Sequence, residues 1–376
     1  MKIRVMDELK YWVALNMVLG VGKTLFARLL RHFGLVGNVF RASVRELTQV
    51  NGIGEKIAAE ILNFDLERNI EREFRLAEKL DLRIVTLASP EYPYLLKLIY
   101  DPPPVLYYQG SPLAKYPVAV AVVGTRLATS YGKLVAERIC GDLAARGMVI
   151  VSGMARGIDT VCHQSTIKAG GQTIAVLGCG LSHTYPPENG RLRQQIAEHG
   201  TLVSEFPISM RPDKNNFPAR NRVISGLSLG TLIIEAGVKS GALITAQFAL
   251  DQGREVFAVP GNIYSPKSRG ANHLVKLGAK LVDGADAVVE ELPDSIRALL
   301  KASPIVNEKK TNADSIGLSE KEQNLMSLLA LEEKHIETLI ENSRLSPAVV
   351  SATLTQLELR GLIRQKEGKM FVSNCH

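Results

Sequence analysis

The chain has 376 residues, 46% hydrophobic and 22% charged, a balance that excludes disordered and fibrous classes and leaves a globular protein of two or three domains at roughly 100 to 200 residues each. The net charge of +7 is unevenly placed: 13 basic against 10 acidic residues in 1–80, 22 against 18 in 81–300, and 10 against 10 in 301–376. An acidic partner such as nucleic acid therefore fits the first two thirds on electrostatic grounds.

The cysteines, at 140, 162, 179 and 375, follow no metal-ligand spacing and no disulfide framework, so a reducing, cytoplasmic setting is expected. Asp7, Glu8 and Lys10 precede an apolar stretch that Asn16 interrupts, and no apolar run reaches the ~18 residues of a membrane span. Secretion and membrane insertion are not expected.

Residues 8–80 read as helical and contain a repeat. LGVGKTLFARLL from Leu19 aligns with NGIGEKIAAEIL from Asn51, each placing Gly-apolar-Gly before a helix. The second copy, Gly52-Ile53-Gly54, has the form of a helix-hairpin-helix, whose turn amides either receive a DNA phosphate or serve packing alone. The string GVGKT is no P-loop, because that motif needs a glycine where Met17 stands.

Residues 81–115 form a bridge, with RIVTL as a strand and the cluster Pro102 to Pro104 as a stop to regular structure. From 117 to about 292, apolar runs the length of buried strands begin at 118, 148, 173, 201, 231, 255 and 280. Segments 132–146, 157–169, 188–199 and 241–252 are long enough to be crossover helices. This alternation predicts a doubly wound, mostly parallel α/β sheet, with ligands at the carboxyl ends of its strands.

The loops at those ends carry the candidate chemistry. Gly124-Thr125-Arg126 follows the first strand of the alternation, and Ser152-Gly153-Met154-Ala155-Arg156-Gly157 the second. Small residues let backbone amides approach an anion, and each arginine adds a planar donor. Neither loop has the GxGxxG spacing of a dinucleotide site. The segment 211–222 interleaves Arg211, Lys214, Arg220 and Arg222 with Phe217 and the amides Asn215, Asn216 and Asn221. Charge for phosphates and a flat ring for bases are what a single nucleic-acid strand requires. Ser240 and Gly241 open a helix N-terminus beyond Glu235, a carboxylate suited to act as a base, to position a sugar hydroxyl, or to pair Arg126, Arg220 or Arg222. His163 and His183 have no matching nucleophile and are assigned structural or pocket-lining roles.

Residues 301–315 are polar and lysine-rich and read as a linker. Residues 316–376 read as a winged helix-turn-helix: helices at 319–330 and 335–341, a third starting at Ser346-Pro347, and IRQKEGKMFV as the wing. Ser319 and Ser346 are expected caps, and Gly361 an expected stop. The third helix has only Arg360 as a cation, which favours protein contact over DNA reading.

The ordered set VAVVGTR, VSGMARGIDTVCH, TIAVLGCGL with Tyr185-Pro186, SEFP, NFPARNRVISGLS, EAGVKSGALITAQFA and AVPGN with SRGANHLVKLGA resembles the DNA-processing protein A family, also called DprA or Smf. The resemblance runs from about Tyr92-Pro93 to residue 292, and the flanking regions fit it as well. It implies an extended Rossmann-like core that binds single-stranded DNA without hydrolysing it. That core, at 81–300, would lie between a helix-hairpin-helix or SAM-like domain at 1–80 and a winged-helix domain. It also implies a homodimer, loading of the RecA recombinase during natural transformation, and neither cofactor nor metal. The family's phosphate pocket maps to Gly124, Thr125, Arg126, Ser152, Gly153, Phe217, Arg220, Asn221 and Arg222, with threonine at 125 where serine is usual. Arg156, Lys214, Asn216, Ser240 and Gly241 complete the expected DNA-binding set. Related phosphoribohydrolases share such cores but carry PGGxGTxxE, where this chain has EAGVKSGALITA. An enzyme on the same core is the alternative, and a transcription factor using the core as nucleotide sensor is a third reading.

Overall fold

The computed structural model describes residues 2–116, 118–300, 319–329, 333–360 and 362–373, and the chain divides into two units, Met1–Pro304 and Ile305–His376. In the first unit the apolar runs form one nine-stranded sheet. Its strands are β1 (Arg83–Thr86), β2 (Val105–Gly110), β3 (Ala119–Val123), β4 (Val149–Ser152), β5 (Thr173–Val176), β6 (Gly200–Ser204), β7 (Gly230–Ile233), β8 (Glu255–Ala258) and β9 (Lys280–Leu281). The order across the sheet is β1-β2-β6-β5-β4-β3-β7-β8-β9, with antiparallel pairing only where β2 meets β1 and β6. This is the expected mostly parallel, doubly wound α/β sheet. Every residue of β3 through β7 is buried, because helices cover both faces, and that is why these strands read as mostly apolar runs rather than alternating ones.

The expected crossover helices form at Ser130–Ala145, Ile158–Lys168, Gly190–His199 and Gly241–Asp251. Two elements differ from expectation. The proline cluster carries no regular structure, as expected, but a strand not anticipated from the sequence, β2, begins immediately after it, with its own donors needed only from Val105 onward. The basic segment 211–222 is not one loop, since its second half begins the helix Asn216–Gly226 between β6 and β7.

The N-terminal helices pack on the β2, β5 and β6 side of the sheet, sharing a core that includes Trp12, Leu15 and Phe26 with Tyr107, Ala175 and Leu202. The two glycine turns of the repeat face each other's helices. Gly20 and Gly52 both have left-handed φ, +85° and +93°, and a Cβ on Gly52 would lie 2.9 Å from Leu25 and Arg28, while one on Gly20 would meet Ile57 at 3.5 Å. Arg28 Nη1 closes the pair by donating to the Asn51 carbonyl at 2.8 Å. The module is thus a helix-hairpin-helix domain. It is fixed to the core by Glu73, 1% exposed, which accepts the Ile208 N–H at 2.7 Å, and by Lys23, which pairs with Asp101.

The second unit forms a winged helix from helices Glu320–Leu328, Ile336–Ser343 and Pro347–Leu359 and the strands β10 (Lys334–His335), β11 (Ile363–Lys366) and β12 (Met370–Ser373). The wing is the β11–β12 hairpin, and β10, unannounced in the sequence, pairs with β12. Ser319 caps its helix through a capping box with Glu322, whereas Ser346 holds the N-cap position without a side-chain bond. The expected linker 301–315 and the expected stop at Gly361 lie outside the described residues. Among the described residues no helix is long and apolar enough to cross a membrane.

Candidate nucleic-acid interface

The strand order reverses at β3, which lies between β4 and β7, so the loops leaving β3 and β7 diverge and open a crevice at their carboxyl ends. A concavity of about 900 Å³ occupies that crevice. Its walls carry Arg126, Lys214, Arg220, Lys239 and Lys267 against one carboxylate, Asp159.

The close approach of the first two loops depends on glycine. A Cβ on Gly124 would stand 2.5 Å from Ile158, and one on Gly157, at φ +77°, would lie 2.3 Å from the Thr125 carbonyl. The Thr125 amide donates to the Glu235 carbonyl at 2.7 Å, and its carbonyl accepts the Ile158 N–H at 3.2 Å, so the turn carrying Arg126 is held from both sides. Arg126 itself is exposed, with its guanidinium 5.8 Å from the centroid of the Phe217 ring. That ring packs on Gly178, where a Cβ would sit 2.6 Å away, and on Tyr185, whose centroid is 5.0 Å distant.

Beneath this surface lies Arg220, 4% exposed, whose Nη1 donates to the carbonyls of Gly153, at 3.0 Å, and Val176. Gly153 separates it from Asp159, and a Cβ there would lie 2.6 Å from the guanidinium and 2.8 Å from the carboxylate. Burial lowers the Arg220 pKa to about 10, Asp159 opposing the shift, so the group stays charged at neutral pH. Burial likewise raises Asp159, against the charge of Arg220 and the amides of Ala155 and Gly153. Met154, between those amides, is buried at φ 55°, a strained conformation of the kind that clusters at binding sites. Across the crevice Ser240 caps the helix Gly241–Asp251 by accepting the Ala242 N–H at 3.3 Å, which turns that helix's positive end toward the concavity.

Of the expected residues, Gly124, Thr125, Arg126, Lys214, Phe217, Arg220, Asn221, Ser240 and Gly241 are brought together on this wall. Gly153 and Arg156 line a small chamber behind Phe217, where Arg156 also pairs with Glu188. Three others are not on the wall. Ser152 is fully buried and donates to the Val122 carbonyl at 2.7 Å, joining β4 to β3. Asn216 donates to the Met210 sulfur at 3.6 Å. Arg222 is 1% exposed and engages Glu205 and Asp101. The reason is helical geometry: two residues past Arg220 is a turn of about 200°, which sends Arg222 into the protein, whereas in an extended loop the two would share a face.

Glu235 pairs with none of the three arginines. It is 3% exposed, and its two oxygens accept the Thr129 N–H and hydroxyl, each at 2.9 Å, at the start of helix Ser130–Ala145. His163 is fully buried against the Thr173 hydroxyl at 2.7 Å, and its pKa is pulled down to about 3 by burial. His183 Nε2 meets the Ser209 carbonyl at 3.1 Å. Sequence reasoning missed Tyr185 as the ring beside Phe217, Lys239 and Lys267 as wall cations, and Asp159. Only Asp159 carried a local signal, two residues past Gly157 at a helix start.

The sequence model described as DNA recombination-mediator protein A matches residues 83–293, that of the DprA winged helix domain 309–369, and a helix-hairpin-helix model 14–72. The chain is 34% identical to Protein Smf of Synechocystis sp. over 404 residues, covering 97% of this chain and 98% of the relative. The X-ray structure of DNA processing protein A from Streptococcus pneumoniae superposes with a TM-score of 0.68 at 34% identity, covering 76% of this chain and 98% of that one. A structure concerned with the single-stranded DNA binding mode of DNA processing protein A from Helicobacter pylori superposes at 0.51 and 32% identity, covering 55% and 94%.

Proposed function

The chain belongs to the DprA/Smf family of DNA recombination-mediator proteins, and from that premise we propose that its core binds single-stranded DNA in the crevice between β3 and β7. The observation that carries this reading is the wall itself: five cations against one carboxylate, with an aromatic ring among them. Phosphates require the charge and unpaired bases the ring. In this reading Gly124, Thr125, Arg126, Lys214, Phe217, Arg220, Asn221, Ser240 and Gly241 contact the strand. Ser152, Gly153, Arg156, Asn216 and Arg222 hold those residues in place.

The output is binding rather than chemistry, and no cofactor is required. Support comes from the side chains that acid–base catalysis would need: Glu235 is committed to Thr129, and His163 is buried and held neutral. The wider role is to protect incoming DNA and load the RecA recombinase onto it during natural transformation, in the cytoplasm. A homodimer is part of the proposal. Leu277, shortly before the edge strand β9, and Leu281, within it, are 71% and 51% exposed, while Leu274 and Val275 pack inward. The working domain limits are 1–80, 81–300 and 316–376, with 301–315 as linker.

Gel-shift comparison of single-stranded and duplex oligonucleotides, with nucleotide hydrolysis assayed in parallel, tests the reading. Preferential retention of the single strand without hydrolysis is the expected result. Release of base from a nucleoside monophosphate would replace it with the phosphoribohydrolase reading.

A further inference from the structure

A second concavity, of about 440 Å³, lies between the N-terminal helix Leu66–Lys79 and the loop that follows β6. Arg68, Arg72, Arg75 and Lys79 line it with Leu76, Ser182 and Ser209, and Glu71 is its one carboxylate. The four cations are spaced four, three and four residues apart, so they form a single stripe down one helix face. At 1.5 Å of rise per residue the stripe is about 16 Å long, with steps of about 4.5 to 6 Å. Glu71 is taken by Arg75, whereas among the described residues no ion pair holds the charged ends of Arg68, Arg72 or Lys79. On a helix with as many acids as bases, this sorting leaves one unneutralised cationic edge facing a groove.

The groove is rigidly assembled. Glu73, on the buried face of the same helix, accepts the Ile208 N–H at 2.7 Å. Ser182 binds the Ile208 carbonyl through both its N–H, at 3.0 Å, and its hydroxyl, at 2.7 Å, and Gly180 N–H reaches the Met210 carbonyl at 2.8 Å. The helix, residues 180–182 and residues 208–210 are therefore pinned to one another. The same loop joins this groove to the crevice: Ser209 lines the groove, while Pro212 and Lys214 line the crevice. Lys214 lies five positions beyond Ser209, a span of at most about 18 Å. Arg211, exposed, lies between them.

We propose that the groove beneath helix Leu66–Lys79 is a second phosphodiester track, which receives the continuation of a single strand held in the crevice. This rests on the crevice being the primary DNA site. The steps of the stripe suit successive phosphates, and the absence of an exposed aromatic from its lining makes it a backbone track that reads no base. Oligonucleotides short enough to fill only the crevice never reach it.

Fluorescence anisotropy with labelled oligothymidylates of roughly 6 and roughly 30 nucleotides tests the proposal on the full chain. The variant is Arg68→Glu/Arg72→Glu. The control is Lys133→Glu/Arg138→Glu, which makes an equal charge change on helix Ser130–Ala145, outside both concavities. The groove variant should lose about tenfold or more in affinity for the long strand, with the salt slope flattened by about 1.4 for two lost contacts at ~0.7 each, while the short strand binds as before. A loss no greater than the control's, or an equal loss for both lengths, overturns the track. Retained long-strand binding together with lost binding of an oligoglutamate peptide would assign the groove to an acidic protein and also overturn it. Arg126→Glu reports separately on the crevice: if it leaves the short strand bound, the primary reading fails whatever the groove does. A thermal melt within a few degrees of the parent's confirms that the charge reversals leave the fold intact.

Discussion

The guanidinium of Arg126 stands 5.8 Å from the ring centroid of Phe217, although Arg126 comes from the loop after β3 and Phe217 from the first turn of the helix that follows β6. The pair joins the two kinds of recognition a single strand needs, and the contact holds an otherwise exposed arginine over an apolar face. A cation so placed loses less freedom when a phosphate arrives.

The two halves of that pair should separate experimentally. Arg126→Glu puts a carboxylate where a phosphate would sit, so affinity falls strongly and the salt slope flattens by about one contact. Phe217→Ala should weaken binding by ~1 to 3 kcal/mol through lost stacking, with the salt slope unchanged. Anisotropy titrations at several salt concentrations read both. Parent-like binding by both variants would remove the site.

Gly153→Ala should be poorly tolerated, because its Cβ would lie 2.6 Å from the Arg220 guanidinium and 2.8 Å from Asp159. Both neighbours are buried, and neither can swing into solvent. Forcing a methyl into such a site costs ~1 to 3 kcal/mol, which a lowered melting temperature should record. DNA affinity should fall in the same variant as Arg220 is displaced. Unchanged stability would mean that the floor of the crevice adapts more easily than its packing suggests.

His163 should impose an acid-side stability loss. Burial holds its folded pKa at about 3 against an ordinary 6.5, so between these values the unfolded chain binds a proton that the folded chain does not. Stability therefore rises with pH across this window and is lost as pH falls through it, by up to ~1.4 kcal/mol per pH unit. Urea melts between pH 6.5 and 4 should show a shallower slope in His163→Asn than in the parent. Equal slopes would place the acid sensitivity elsewhere.

Removing residues 316–376 should leave single-strand affinity within ~10-fold, or ~1.4 kcal/mol, of the full chain. The segment has no net positive charge, and Arg360, the cation at the end of its third helix, is engaged by Glu322 at 2.9 Å. Truncation within 301–315 followed by the same titration decides it, and a larger loss would give the winged unit a direct part in binding.

Light scattering at micromolar concentration should find a dimer. Leu277→Glu/Leu281→Glu should shift it to a folded monomer, because both side chains are exposed, one shortly before β9 and one within it, and the melting temperature should fall only by the dimer's own concentration-dependent contribution. A monomeric parent would remove the dimer from the proposal.

The central sheet was legible from sequence because burial on both faces leaves mostly apolar residues in β3 through β7, interrupted only by small hydroxyl residues such as Ser152, Thr173 and Thr201, and the helices between them carry ordinary patterning. The glycine turns were legible too, since left-handed backbone and close approach select glycine locally, as at Gly52 and Gly157. Helix Asn216–Gly226 was not, because a proline and several polar residues mask it, and its stability comes from packing rather than propensity. The roles of the charged groups also waited on the fold. Nothing near Arg222 in sequence announces Asp101, nothing near Glu235 announces Thr129, and nothing near Phe217 announces Tyr185. Whether a cation meets a ligand or holds the fold depends on which carboxylate or carbonyl lies within a few ångströms of it. Sequence fixes the charges, but those distances between segments far apart in the chain exist only once the sheet has brought its loops together.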